Sequence, residues 1–225
     1  MLPKTKEEFA KYIDHTLLRA DATEVEIRKL CHEAIKYNFA AVCVNPCFID
    51  VCKNLLTDTG INIATVIGFP LGANSSNVKF YEAGMAILGG ANELDMVINI
   101  SMLKSGNLSY VEKEISEIVR LADEAKALVK VIIETALLSE EEKIEACRIV
   151  SESGAHFIKT STGFAKIGAT VEDVELMRKH CSPQVQIKAS GGIKTVDFAL
   201  KLIEAGATRI GTSSGVELIK ILNNL

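Results

Sequence analysis

The chain has 225 residues, 48% of them hydrophobic, a mean hydropathy of +0.22 and a formal net charge of −4. That is enough for the core of one large domain over residues 1–225, and the slightly acidic balance offers no basic field for nucleic acid. No apolar stretch reaches the roughly 18 residues of a membrane span, Met1–Ala10 is charged and lacks the apolar core of a secretory leader, and six cysteines in such a chain predict reduced thiols in the cytoplasm.

In chain order, Lys4–Tyr12 predicts an extra N-terminal helix that closes the bottom of the fold. Strands are predicted at Asp14–Leu18, Ala40–Val44, Asn62–Ile67, Glu93–Ile98, Val129–Glu134, Phe157–Thr160, Gln186–Ser190 and Arg209–Thr212. Helical patterns lie between them; Val111, Ile115, Ile118, Ala122 and Ala125 form one apolar stripe at helical spacing, and Ser75-Ser76 is placed to cap a helix. Eight strands, each followed by a helix, predict an α/β fold of the (β/α)8, TIM-barrel type. A doubly wound open sheet would show a Gly-rich turn after its first strand, and Asp14-His15-Thr16-Leu17-Leu18-Arg19 has none.

A weak internal repeat refines this. Gly90-Ala91, Gly154-Ala155 and Gly206-Ala207 each end a helix and lead into a strand, where a glycine suits the left-handed position past the helix end. Asn38-Phe39 fits the same frame, asparagine being the tolerated substitute. The sixth position of the frame is Cys43, Asp95, Lys159 and Gly211, so Asp95 and Lys159 would share one layer of the barrel.

Two strands carry a lysine and run into Ser/Gly turns: Phe157-Ile158-Lys159-Thr160-Ser161-Thr162-Gly163 and Gln186-Ile187-Lys188-Ala189-Ser190-Gly191-Gly192. A buried, unpaired ammonium tends to lose its proton, and a neutral lysine amine attacks carbonyls to form a Schiff base. On adjacent strands the two nitrogens would lie about 6 Å apart; at an effective dielectric near 20 their repulsion is about 2.8 kcal/mol, or roughly two pKa units. Desolvation would act in the same direction and a nearby carboxylate against it. Asp95, in an otherwise apolar strand, is the natural lysine partner or proton shuttle; a strand-end aspartate bonded to loop amides is the alternative. Glu134 stands between a structural ion pair and a supporting role.

The loops after strands seven and eight of such barrels frequently bind phosphate. Here they are Ser190-Gly191-Gly192 and Gly211-Thr212-Ser213-Ser214-Gly215, whose glycines, hydroxyls and helix N-terminal amides favour an anion. Together the features predict carbonyl chemistry on a phosphorylated substrate. Cys43, Cys47 and Cys52 lack zinc-ligand spacing and the four histidines are scattered, so no metal site is expected. Cys43 is expected at the border of the site, with Cys47 and Cys52 facing the barrel from a helix.

Six segments carry a resemblance to a known family: Ile13-Asp14-His15-Thr16-Leu17-Leu18, Gly68-Phe69-Pro70-Leu71-Gly72, Glu93-Leu94-Asp95-Met96-Val97-Ile98-Asn99, Lys159-Thr160-Ser161-Thr162-Gly163-Phe164, Lys188-Ala189-Ser190-Gly191-Gly192-Ile193 and Gly211-Thr212-Ser213-Ser214-Gly215. In this order, from residue 13 to 215, they resemble the deoxyribose-phosphate aldolases. The resemblance implies reversible, metal-free and cofactor-free cleavage of 2-deoxy-D-ribose 5-phosphate to acetaldehyde and D-glyceraldehyde 3-phosphate, in deoxyribose phosphate catabolism. It implies that Lys159 forms the Schiff base, Lys188 tunes it and Asp95 transfers protons. Gly163, Gly191, Gly192, Ser213 and Ser214 would surround the phosphate, with Thr16, Cys43 and Thr162 in support. It also implies small-molecule partners, a phosphosugar and an aldehyde, and a homodimer. Two rivals remain: a Schiff-base barrel aldolase with another carbonyl donor, and a catalytically silent phosphosugar-binding barrel, which would lack the paired lysines.

Overall fold

The apolar runs separate into short stretches rich in β-branched residues and longer amphipathic ones. In the computed structural model, which describes residues 2–222, they become the strands and helices of a closed parallel barrel. The strands are β1 (Ile13–Leu17), β2 (Ala41–Val44), β3 (Asn62–Ile67), β4 (Glu93–Val97), β5 (Leu128–Ile132), β6 (Phe157–Lys159), β7 (Gln186–Ser190) and β8 (Arg209–Thr212). Each pairs in parallel with the next, and β8 closes on β1. The helices are α1 (Lys6–Ala10), α2 (Glu24–Tyr37), α3 (Ile49–Leu56), α4 (Ser76–Gly89), α5 (Ile100–Lys104), α6 (Leu108–Glu124), α7 (Glu140–Glu152), α8 (Val171–His180), α9 (Val196–Glu204) and α10 (Gly215–Leu222). This is the (β/α)8 architecture that the alternation predicts.

Local chemistry explains the boundaries. Thr23 with Glu26, and Ser139 with Glu142, form reciprocal capping boxes that start α2 and α7. The repeat frame ends helices as expected: Asn38, Gly90, Gly154 and Gly206 all have positive φ, which an unbranched or absent side chain tolerates best. The predicted N-terminal helix is shorter than its pattern, Lys6–Ala10, capped by the Thr5 side chain and anchored by buried Phe9 and Ala10. Strand β5 stops at Ile132 rather than Glu134, because Glu134 itself turns left-handed at φ 52°. Ser75 occupies the N-cap position of α4, but its side chain makes no capping bond. Cys52 is buried on α3 as expected, whereas Cys47 is exposed in the 3-10 turn Pro46–Phe48 and does not face the barrel.

Most of the core lies between the strands and the helices, so the strands are buried on both faces. Inside the barrel, Leu18, Ala41, Cys43, Ala64 and Val66 with Phe69 form a small apolar cluster on the β1–β3 side. Much of the remaining interior is filled by charge, with Arg209 lying over the Phe157 ring.

Candidate active site

Lys159 and Lys188 sit at paired positions on β6 and β7 and both point inward. Between them lies Asp95 from β4, whose Oδ2 accepts from Lys159 Nζ and from Lys188 Nζ, each at 2.7 Å. The two nitrogens are therefore no farther apart than twice 2.7 Å, a little closer than strand spacing alone suggests. The other frame positions meet in the same layer. Cys43 Sγ is 3.9 Å from Asp95 Oδ2, and a Cβ at Gly211 would stand 3.0 Å from Lys188 Cε, so glycine leaves room for that lysine.

Beneath this layer is a set of charges that sequence reasoning passed over. Asp95 Oδ1 accepts from Lys130 Nζ at 2.7 Å, and Lys130 also contacts Glu93 at 2.5 Å. Glu93 accepts from Arg209, which donates through Nε to Asp14 at 2.7 Å. Asp14 Oδ2 returns to Lys188 at 2.6 Å. Three carboxylates (Asp14, Glu93, Asp95) thus face Lys130, Lys188, Arg209 and Lys159. The network is neutral when Lys159 has lost its proton and carries one excess positive charge when it has not.

The electrostatics agree with that count. Burial is the largest influence on Lys159 and pushes its ammonium below the ordinary value; Asp95 opposes this and Lys188 adds to it. Burial also disfavours the charge on Lys188, but Asp14 and Asp95 outweigh it and hold this ammonium above its ordinary range. At Lys130 burial is likewise overcome, by Asp95 and Glu93, so that ammonium too is raised. Burial would raise the Asp95 carboxyl, yet Lys130, Lys159 and Lys188 keep it well below the usual carboxylate range. For Cys43 burial and then Asp95 push the thiol up, so it stays protonated. Repulsion from Lys188 is therefore a secondary influence on Lys159, where the sequence argument gave it first place.

Of the three inward lysines, Lys159 lines the open cavity at the C-terminal end of the strands, while Lys130 and Lys188 lie behind it. The cavity holds about 390 Å3. Thr16, Thr162, Gly163, Gly191, Gly192 and Ser213 line it. A Cβ at Gly163 or Gly192 would meet nothing within 4 Å, and both have positive φ, so bare backbone faces open space there. Ser214 is not among the lining residues; its amide donates to Thr212 Oγ1 and its carbonyl accepts from Leu218 N, each at 3.0 Å, just before α10. Cys43 and Asp95 are buried below the cavity floor.

The loops around Lys159 are tied together. Thr160 Oγ1 donates to Ser190 O and accepts from Ser190 N; Ser190 Oγ donates to Ser161 O at 2.6 Å. Glu134 accepts from the amide and the hydroxyl of Thr162, so it supports the turn after Lys159 rather than pairing with a lysine. Two cations at the mouth were not anticipated. Arg19 is engaged with Asp21 and Glu26, whereas Lys194 lines the cavity and is exposed.

Residues 9–219 match the profile of the DeoC/LacD family aldolases. The chain is 57% identical to the deoxyribose-phosphate aldolase of Caldicellulosiruptor saccharolyticus over 96% of its own length and 98% of that protein. It is 54% identical to the deoxyribose-phosphate aldolase of a Thermoanaerobacter species, over 96% and 97%. Among solved structures it is similar to the tetrameric deoxyribose phosphate aldolase of Aeropyrum pernix, with a TM-score of 0.91 and 35% identity over 97% of this chain and 92% of that one.

Proposed function

The chain belongs to the DeoC/LacD family of aldolases, and on that premise we propose how its barrel mouth works: it cleaves 2-deoxy-D-ribose 5-phosphate reversibly to acetaldehyde and D-glyceraldehyde 3-phosphate through a Schiff base on Lys159. It is a lyase acting on small molecules. The observation that carries the site assignment is that Lys159 alone of the three inward lysines reaches the cavity while sharing Asp95 Oδ2 with Lys188 at 2.7 Å.

The steps follow from that geometry. The neutral Lys159 amine attacks the C1 aldehyde of the open-chain sugar, and loss of water gives an iminium. As the C3 hydroxyl gives up its proton, the C2–C3 bond breaks and its electron pair flows into the iminium. D-Glyceraldehyde 3-phosphate leaves, and an enamine remains on Lys159. Protonation at C2 restores the iminium, and water releases acetaldehyde and the free amine. Asp95 Oδ2, bonded to both amines, is the acceptor through which protons pass, and Lys188 stays charged beside it. Borohydride added with acetaldehyde is expected to leave a two-carbon ethyl group on the peptide containing Lys159. An adduct on Lys188 instead would reverse the two roles.

The phosphate is placed against Gly163, Gly191, Gly192 and Ser213, with Ser214 at the start of α10 and Lys194 supplying a cation; Thr16 and Thr162 shape the wall. Backbone amides at open glycines, a helix N-terminus and an exposed lysine all favour an anion. Ser213→Asp would set a carboxylate against it. Affinity for the phosphosugar is expected to fall by roughly tens to thousands of fold, a cost of a few kcal/mol, while activity on unphosphorylated deoxyribose changes far less. Equal losses on both substrates would remove Ser213 from the phosphate site.

The chain is read as one domain over residues 1–225 that works in the cytoplasm as a homo-oligomer, a dimer at the least. No helix among the described residues is long and apolar enough to cross a membrane, and the described cysteines are free thiols.

A further inference from the structure

Side chains alternate along β1. Asp14 turns inward to Lys188 and Thr16 lines the cavity, so His15 between them points outward, toward the helices. It is buried there, in polar as well as apolar company. Its Nε2 lies 2.9 Å from Glu33 Oε2 on α2, and the other Glu33 oxygen is 3.7 Å from Lys29. A carboxylate only accepts, so Nε2 carries a proton. Phe39 lies against the ring, 5.2 Å from centroid to centroid. The second nitrogen, Nδ1, is buried with no hydrogen-bond partner among the described residues. It faces the first residue of α10: a Cβ at Gly215 would stand 3.2 Å from His15 Nδ1, 3.2 Å from Phe39 Cζ and 3.0 Å from Ile13 Cγ2. Glycine at this position lets α10 begin directly on the ring.

Resting on the phosphate placement above, we infer that His15 is a positioning residue for that site, seating the start of α10 from behind. The first bond of this helix runs from Leu218 N to Ser214 O. The amides of Gly215, Val216 and Glu217 therefore have no acceptor within the helix and form its positive end. With Nε2–H committed to Glu33, the neutral ring presents the Nδ1 lone pair to that end. The strand register carries the effect to both anion-binding loops. His15 pairs with Thr212 across β1 and β8. Thr212 Oγ1 accepts the Ser214 amide at 3.0 Å and donates to Ile193 O at 2.7 Å, which joins the loop after β8 to the loop after β7. One buried ring thus backs the point where the two loops meet. A helix start held in place beforehand spares the phosphate the cost of ordering it. His15 points away from Lys159, so the steps on the amine do not depend on it.

Steady-state kinetics of His15→Phe and His15→Leu test this, the two made separately so that either serves if the other fails to fold. With unchanged far-UV circular dichroism, each is expected to raise KM for 2-deoxy-D-ribose 5-phosphate roughly tenfold and to leave kcat within about twofold. The inhibition constant of inorganic phosphate, used as a competitor, is expected to rise by the same factor. On unphosphorylated deoxyribose kcat/KM is expected to stay within about twofold. Glu33→Gln, whose amide oxygen still accepts from Nε2–H, is expected to keep the native KM. Equal losses on the two sugars, or an unchanged KM for the phosphosugar, would overturn the positioning role. Ser213→Asp measured alongside separates the two levels. If it is selective for the phosphosugar and the His15 variants are not, the inference about His15 falls alone. If Ser213→Asp also costs both sugars equally, the phosphate placement falls with it.

Discussion

Lys159→Met is expected to abolish turnover, lowering kcat by about 10⁴-fold or more, and to leave no borohydride adduct with acetaldehyde. The same substitution is expected to leave the fold as stable as before, or more so, at neutral pH. Methionine fills a similar volume, and the remaining network of Asp14, Glu93 and Asp95 with Lys130, Lys188 and Arg209 is balanced without Lys159. The sign of the pH dependence follows from the lowered value of Lys159. Between that value and the unfolded 10.5, the unfolded chain binds the proton that the folded chain refuses. Native stability therefore falls as pH drops through this window, and the variant, lacking the group, does not share the loss. The difference in Tm between variant and native protein should widen from alkaline to neutral pH and level off below the folded value. Residual turnover that survives with a trappable adduct would mean that another lysine forms the Schiff base. A variant markedly less stable than the native chain would mean that Lys159 is held as a charged partner of Asp95 rather than poised as a free amine.

Much of this was written in the one-dimensional pattern. Parallel strands buried on both faces read as apolar runs, and glycine or asparagine past each helix marks where the chain turns back. Lys159 and Lys188 stand out because a cation interrupts such a run just before a Ser/Gly turn. Lys130 interrupts one too, in Leu128-Val129-Lys130-Val131-Ile132, but no turn motif follows it and its partners were invisible. Glu93 and Arg209 open their strands, where a charge reads as solvated, and Asp14 lies next to a strand start. Only the closure of β8 on β1 brings Arg209 to Asp14, 195 residues away. Glu134 likewise reaches Thr162 through loop geometry that no local spacing encodes. What the pattern misses is thus mostly counter-charge: it shows which group is unusual, and the barrel shows what makes that group affordable.

The balance of charge also predicts opposite responses from the two groups that touch Lys159. Lys188→Leu removes a cation whose Nζ is 2.6 Å from Asp14 and 2.7 Å from Asp95. Three carboxylates then face Lys130 and Arg209, and neutrality calls for a proton on Lys159. Loss of repulsion and a freer Asp95 act in the same direction, so the Lys159 amine should titrate higher. Activity near pH 7 should drop strongly and recover in part as pH rises and the free amine returns. Asp95→Asn removes a carboxylate instead. Lys130, Lys188 and Arg209 then already exceed Asp14 and Glu93, so Lys159 sheds its proton more readily and the acetaldehyde adduct should be trappable at lower pH than in the native protein. Turnover should nonetheless fall at every pH, because the shared acceptor of both amines is gone. A kcat/KM profile that Lys188→Leu merely scales down, with no shift along the pH axis, would overturn the tuning role and make Lys188 a direct proton donor or a substrate contact. An Asp95→Asn protein that turns over normally would take Asp95 out of the proton path and leave it a structural counter-ion to the three lysines.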